Sequence, residues 1–261
     1  MVAGLAGFAV ANSSKHRITP VTRSTAGATL LGRVIMADKK QLIDAKFVTV
    51  PPDGTPNAIS NKRILVNSKK LGAFPLEGSY YAIMTNGCAT LADHQKDAGL
   101  PGCRDNGLQI RGARDVTILR LHVKVPKGAN CLSFRFRFLS QEFPDFVGQQ
   151  FNDAFIAELD HSTWDASNGS QIVAPRDFAR DVNGHVVQIN KTGLDRMSAL
   201  NSQGTTYGGG TRILRASTPV NPGRHFVYLS IFDQGDRQYD SAAFVDNLTM
   251  SKRSPCKSGL S

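Results

Sequence analysis

Alternation of apolar and polar side chains with a period of two is the feature that most constrains this chain. From Cys131 to Phe138, Leu132, Phe134, Phe136 and Phe138 alternate with Ser133, Arg135 and Arg137. Successive side chains of a strand point to opposite faces, so four apolar residues are expected to face a core and two arginines water. Just upstream, Thr117, Leu119, Leu121, Val123 and Val125 alternate with Arg120, His122 and Lys124, and Pro126-Lys127-Gly128-Ala129 reads as the connecting turn. Adjacent strands with one wet face each are typical of antiparallel sheets.

Further strands are predicted at Leu30–Met36, Phe47–Val50, Arg63–Val66, Tyr80–Met84, Ala154–Leu159, Val186–Ile189, Arg212–Ala216, Phe226–Phe232 and Ala243–Met250. Phe226–Phe232 is apolar on both faces and is expected to be central. Helix is confined to a turn at Asp93–Gly99 and a short segment at Leu194–Gln203. The expected fold class is all-β, an antiparallel β-sandwich or jelly roll with one or two short helices. The pattern is continuous enough to read one domain over 28–250, preceded by a leader or signal-peptide remnant at 1–27 and followed by a basic tail at 251–261. The signal reading rests on the apolar run Met1–Ala11 ending in Ala9-Val10-Ala11, although basic residues before that run are absent.

The formal net charge is +10, but its distribution says more than its total. Residues 1–70 carry 11 Lys/Arg against 3 Asp/Glu, whereas residues 131–250 carry 10 against 13. A nucleic-acid binder would be expected to interleave its cations with aromatics. Here the aromatic-rich segments are the acidic ones, so nucleic acid is not an expected partner. The basic ends read as a solubilising surface, or as attraction to an anionic cell envelope. No apolar run reaches the ~20 residues of a membrane-spanning helix.

Cys88, Cys103, Cys131 and Cys256 match no zinc spacing, and an even count suits disulfides in an oxidising compartment. Cys88 and Cys103 flank a polar stretch and are expected to close a short loop. Cys131 is then left to Cys256.

Two segments concentrate acidic and amide side chains beside strands. The first runs Leu139-Ser140-Gln141-Glu142-Phe143-Pro144-Asp145-Phe146-Val147-Gly148, then Phe151-Asn152-Asp153-Ala154-Phe155. The second runs Ile231-Phe232-Asp233-Gln234-Gly235-Asp236, then Tyr239-Asp240-Ser241-Ala242-Ala243-Phe244. Together they resemble the S-E-E-Y-P-E-F-V-G…F-N-D-x-F and A-D-x-G-D-x-x-Y-D-S-x-V-F motifs of the choice-of-anchor L domain. The stretch Tyr80–Thr90 is a looser match to that family's early L-S-T-G segment. The resemblance spans about 78–250 and departs at Gln141, where the family often has an acid. It implies an extracellular bacterial protein of the cell surface, and is nearly silent on activity. The tail after Met250 carries no sorting motif, which suits a freely secreted protein or a subunit of an assembly.

The carboxylates admit three readings. A Ca2+ site would draw its oxygen ligands from Glu142, Asp145, Asn152, Asp153, Asp233, Asp236 and Asp240, provided the two segments meet at one end of the sandwich. Alternatively the acids cap loops or pair with Arg135, Arg137 or Arg237, a reading that suits Asp240-Ser241 and Asp246-Asn247. A third is carboxylate-dependent glycoside hydrolysis, for which Glu142 and Asp153 form the only candidate pair. Asp153 shares its parity with Phe151 and Phe155, so it is expected to point inward, where an unpaired charge is costly. Trp164 and Tyr207, in polar loops, could stack on a sugar. Gly208-Gly209-Gly210 reads as a loop using φ > 0. The hydrolase, P-loop and zinc-protease motifs are absent, and the histidines are dispersed. The expected function is a secreted binding or adhesion module without catalysis of its own. Its expected partners are an extracellular glycan, an envelope polymer or a protein. The alternatives are a structural subunit and a hydrolase.

Overall fold

A computed structural model describes residues 18–50, 57–61, 71, 73–94, 109–169 and 171–261. In chain order the described strands begin with β1 (Ile18–Pro20), β2 (Leu42–Thr49), β3 (Asn57–Asn61), β4 (Tyr80–Thr85), β5 (Arg114–Val125) and β6 (Cys131–Ser140). They continue with β7 (Ala154–Leu159), β8 (Asp165–Asn168), β9 (Gln171–Val173), β10 (Val187–Gln188) and β11 (Met197–Ser198). The last are β12 (Gly209–Thr211), β13 (Leu214–Pro219), β14 (Gly223–Asp233), β15 (Ser241–Ser251) and β16 (Gly259–Leu260). Helices α1 (Thr25–Ile35) and α2 (Ile189–Asp195) interrupt them.

Apart from the two-stranded β8–β9 hairpin, the described strands form two antiparallel sheets, as the alternation requires. One runs β1-β3-β4-β15-β6-β12-β11, with β13 also on β6 and β16 on β13. The other runs β10-β7-β14-β5-β2, and β14 is central to it, as its two apolar faces predict. The inner faces meet through Phe134, Phe136 and Phe138 of the first sheet and Leu119, Leu121, Phe155, Val227 and Leu229 of the second. The ring of Phe136 lies 4.9 Å from that of Phe155 across the interface. The fold is a β-sandwich. Among the described residues no helix is long and apolar enough to cross a membrane.

Several expectations change. The segment Leu30–Met36, predicted as strand, is the body of α1. Ser24 caps it by accepting the Gly27 amide at 3.1 Å, and Ala28, Leu31, Gly32 and Ile35 recur at helical spacing on its buried face. The helix predicted at Leu194–Gln203 instead ends at Asp195 and is followed by β11 and a 3-10 turn at Ala199–Ser202. Arg137 does not face water. It is buried, and its Nη1 donates to the Asn201 carbonyl at 2.7 Å, because the outer face of β6 is covered here. That cover includes Leu71, Phe74, Tyr81, Tyr207 and Phe244. Met1–Ala11, Arg63–Val66 and most of Asp93–Gly99 lie outside the described residues.

The C-terminal tail is built into the sheet. Cys131 and Cys256 form the expected disulfide, and Ala216 and Ser217 pair with Leu260 and Gly259. Cys88 is also disulfide-bonded. Its expected partner, Cys103, lies outside the described residues.

Candidate functional site

The topology brings the two acidic segments together. β6 ends at Ser140, which pairs with Ser241 at the start of β15, and Ala242 pairs with Thr85 at the end of β4. In the other sheet, Phe232 near the end of β14 pairs with Ala154 at the start of β7, and Asp233 with Arg114 at the start of β5. The β6–β7 and β14–β15 loops therefore leave the same end of the sandwich. They are stitched by Gln141 N–H to the Asp240 carbonyl at 3.0 Å and Asn152 N–H to the Gln234 carbonyl at 2.8 Å. The Phe146 ring packs on Tyr239 at 4.9 Å.

Within this junction Glu142, Asp153 and Asp233 are almost completely buried. Asn86, at the end of β4, donates its Nδ2 to Asp153 Oδ2 at 2.8 Å, and its Oδ1 accepts the Ser241 amide at 2.7 Å. The Asp153 amide reaches Glu142 Oε2 at a long 3.4 Å. Two buried carboxylate oxygens, Asp153 Oδ1 and Asp233 Oδ1, have no hydrogen-bond partner. Burial pushes the Glu142 carboxyl up to about 8, with the charge of Asp236 adding to the rise. Asp153 is raised well above the usual carboxylate range by burial and then by Glu142 and Asp233. Asp233 is pushed up to about 10 by burial, then by Asp236, Glu142 and Asp115. Among the leading causes of these three shifts there is no basic side chain.

The other nominated residues behave differently. Asp236 is half-buried at the rim, its Oδ1 accepting the Gln238 amide at 3.1 Å. Asp240 is half-buried with its carboxylate against Gly87, where a Cβ would fall 1.7 Å from its Oδ2 and the carboxylate would have to turn away. Asp145 is exposed on the loop. The Asn152 amide is committed to framework bonds, donating to Gln188 Oε1 and Gln234 Oε1 and accepting the Asn190 amide. Asp246 is a loop cap as expected, its carboxylate accepting the amides of Leu76, Glu77 and Asn247.

Trp164 and Tyr207 are not sugar platforms. Trp164 is buried, stacked on Phe232 at 4.2 Å with its Nε1 donating to Ser230 Oγ, and Tyr207 lies in the apolar cover over β6. Gly208–Gly210 do not use positive φ. Gly208 and Gly209 pass Phe143 closely, a Cβ on Gly208 falling 2.0 Å from its carbonyl oxygen, and Gly210 faces Leu139. Asn86 was not singled out as a site residue from sequence. The signal available for it was the Thr85-Asn86-Gly87 turn at a strand end.

The sequence profile of the choice-of-anchor L domain matches residues 76–251. The chain belongs to that family. The choice-of-anchor L region thus contains Asn86, both acidic loops and the strands that join them. No curated protein matches the sequence. Among solved structures, the chain is distantly similar to a non-crystalline-cellulose-specific carbohydrate-binding module, CBM28. The identity is 8% and the TM-score 0.34, over 71% of this chain and 86% of that one. It is similar to TmCBM61 in complex with β-1,4-galactotriose at 9% identity and TM-score 0.28, over 80% and 87% of the two chains. The K1 cleaved adhesin domain of Lys-gingipain from Porphyromonas gingivalis W83 shows 10% identity and TM-score 0.31, over 78% and 90%.

Proposed function

We propose that this choice-of-anchor L chain is an extracellular binding module of the bacterial cell surface, and that its carboxylate junction is a structural calcium site. The observation that carries the calcium reading is the pair of buried, unpartnered oxygens, Asp153 Oδ1 and Asp233 Oδ1, beside Glu142. Carboxylates out of water need a compensating charge or donor. Ca2+ suits a nest of oxygen donors drawn from loops. Among the described residues no three His, Cys, Asp or Glu side chains already stand in a metal-holding arrangement. Ion entry would therefore draw Glu142 off its long contact with the Asp153 amide and gather it with Asp153 and Asp233, with Asp236 at the rim. Asp145, exposed, and Asn152, already committed, fall outside this ligand set.

Such an ion would lock β4, β6, β7, β14 and β15 at one end, which suits a module that works outside the cell. The family supports the extracellular setting, and the Cys131–Cys256 bridge supports an oxidising one. Burial of Glu142 and Asp153 leaves a substrate no access to either, which argues against the hydrolase reading.

Thermal unfolding in calcium against chelator tests the site. Calcium at about 100 times its Kd adds about 2.7 kcal/mol to stability. For a domain of this size that is a rise in Tm of roughly 5–10 °C. The rise should vanish in Asp233→Asn. An unchanged Tm, with no calcium heat by titration calorimetry, overturns the reading.

A further inference from the structure

Beside the carboxylate junction, and sharing Asn152 with it, an open cleft of about 620 Å³ runs between the β8–β9 hairpin and the start of α2. We infer that this cleft binds a hydroxyl-rich polyanion, an acidic extracellular polysaccharide or a polyol phosphate. The inference deepens the binding-module reading by giving it a site and a ligand class, and it is independent of calcium.

The size lies within the ~300–1,000 Å³ usual for small-ligand sites. The chemistry of the walls narrows the occupant. Five amides line the cleft, together with Arg180, His185 and Lys191, but among the described residues no Asp or Glu does. This is notable in a stretch, 131–250, where acids outnumber Lys and Arg by 13 to 10. His185 Nδ1 faces Asp181 at 3.4 Å, so the permanent positive charge of the walls comes from Lys191 and from Arg180, whose field also reaches the buried Asp177. Among the described residues no Phe, Tyr or Trp lines the cleft, which removes the usual stacking platform for a neutral sugar. Recognition is left to hydrogen bonds and charge.

The walls are also held in place beforehand. Asn190 accepts the Gly148 amide at 2.7 Å and donates to the carbonyls of Gln149 and Phe151 at 2.6 and 2.9 Å. Arg180 is anchored through Nε and Nη2 to the carbonyls of Asp177, Ala174 and Pro175, which leaves its Nη1 hydrogens without a partner among the described residues. Gln188 spends Oε1 on Asn152, and its Nε2 likewise has no partner there. Lys191 and Gln171 are exposed at the two rims. Donors fixed before the ligand arrives lose little freedom on binding. A guanidinium and an ammonium with amides between them suit carboxylate or phosphate groups spaced along a hydroxylated chain.

The test is titration calorimetry with polygalacturonate, a ribitol phosphate polymer and cellohexaose, on the wild-type chain and two charge reversals. Lys191→Glu lies in the cleft, and Lys127→Glu carries the same change at the opposite end of the sandwich, in the β5–β6 turn. The expected result is binding of at least one polyanion, weakened about tenfold or more by Lys191→Glu, little changed by Lys127→Glu, and absent for cellohexaose. The polyanion bound identifies carboxylate or phosphate as the group recognised. Equal loss in both variants would mean attraction to a basic protein as a whole and overturns the site. Binding of cellohexaose that Gln171→Ala abolishes overturns the ligand class while leaving the binding-module reading intact. No binding of any of the three overturns the inference, and the calcium response of Tm still reports separately on the junction.

Discussion

Replacing Asn86 with alanine should destabilise this protein far more than a polar residue in a turn ordinarily would. Asn86 is 3% exposed, and its amide satisfies two buried groups in opposite senses. It accepts the Ser241 amide at the first residue of β15 and donates to Asp153 at the entrance to β7. Alanine removes both bonds and leaves a buried N–H and a carboxylate oxygen without partners. Each orphaned buried group costs about 1–3 kcal/mol. The loss should total about 3–5 kcal/mol, or roughly 10 °C in Tm for a chain of this length. Asn86→Asp keeps the acceptor for Ser241 but sets another carboxylate against Asp153, so in chelator it should fall below alanine. Urea unfolding followed by Trp164 fluorescence is a suitable assay, since that ring is buried on Phe232 and should report loss of the core. If both variants unfold within about 2 °C of wild type, Asn86 is not the link between the strands and the carboxylates.

Two further perturbations follow from the same packing. Asp177 is buried, with Oδ1 accepting the amides of Ala157 and Ala179, and burial pushes its carboxyl up to about 7 from an ordinary 3.8. The folded state therefore holds the proton more tightly. The stability this contributes is complete below about pH 4 and is lost as pH rises towards 7, by up to about 4 kcal/mol. Asp177→Asn should flatten the urea midpoint over that window relative to wild type, and parallel profiles would refute the assignment. Cys131 and Cys256 are 125 residues apart, so opening their bridge frees about 5 kcal/mol of unfolded-chain entropy. Cys256→Ser should lower Tm by roughly 10 °C or more and expose the amides of Leu260 and Ser261 to hydrogen exchange; a loss under about 1 kcal/mol would mean β16 holds without it.

Much of the sandwich was legible because a strand writes its two faces into alternate residues. β5 and β6 follow directly from such runs, and β14 from a run apolar on both faces. The inward aim of Asp153 came from the same parity, and it is fully buried. The segment that became α1 was misread because β-branched and leucine residues at 30–36 outweighed the helical spacing of Ala28, Leu31 and Ile35 behind Ser24. Both acidic loops were visible as compositions, and their family motifs as patterns.

What local sequence could not supply was the other side of each contact. Arg137 alternates like a solvent-facing residue, yet loops distant in sequence cover its face. Trp164 and Tyr207 sit in polar stretches, yet they fill apolar layers outside the sheets. The glycines at 208–210 look like a flexible loop, but close approach to Phe143 and Leu139 dictates them. Antiparallel pairing of β15 with β4 and β6, and of β14 with β5 and β7, gathers Asn86, Glu142, Asp153 and Asp233 at one end. Burial and mutual repulsion of those carboxylates are properties of that meeting, because a charge is perturbed by its spatial neighbours rather than its sequence neighbours.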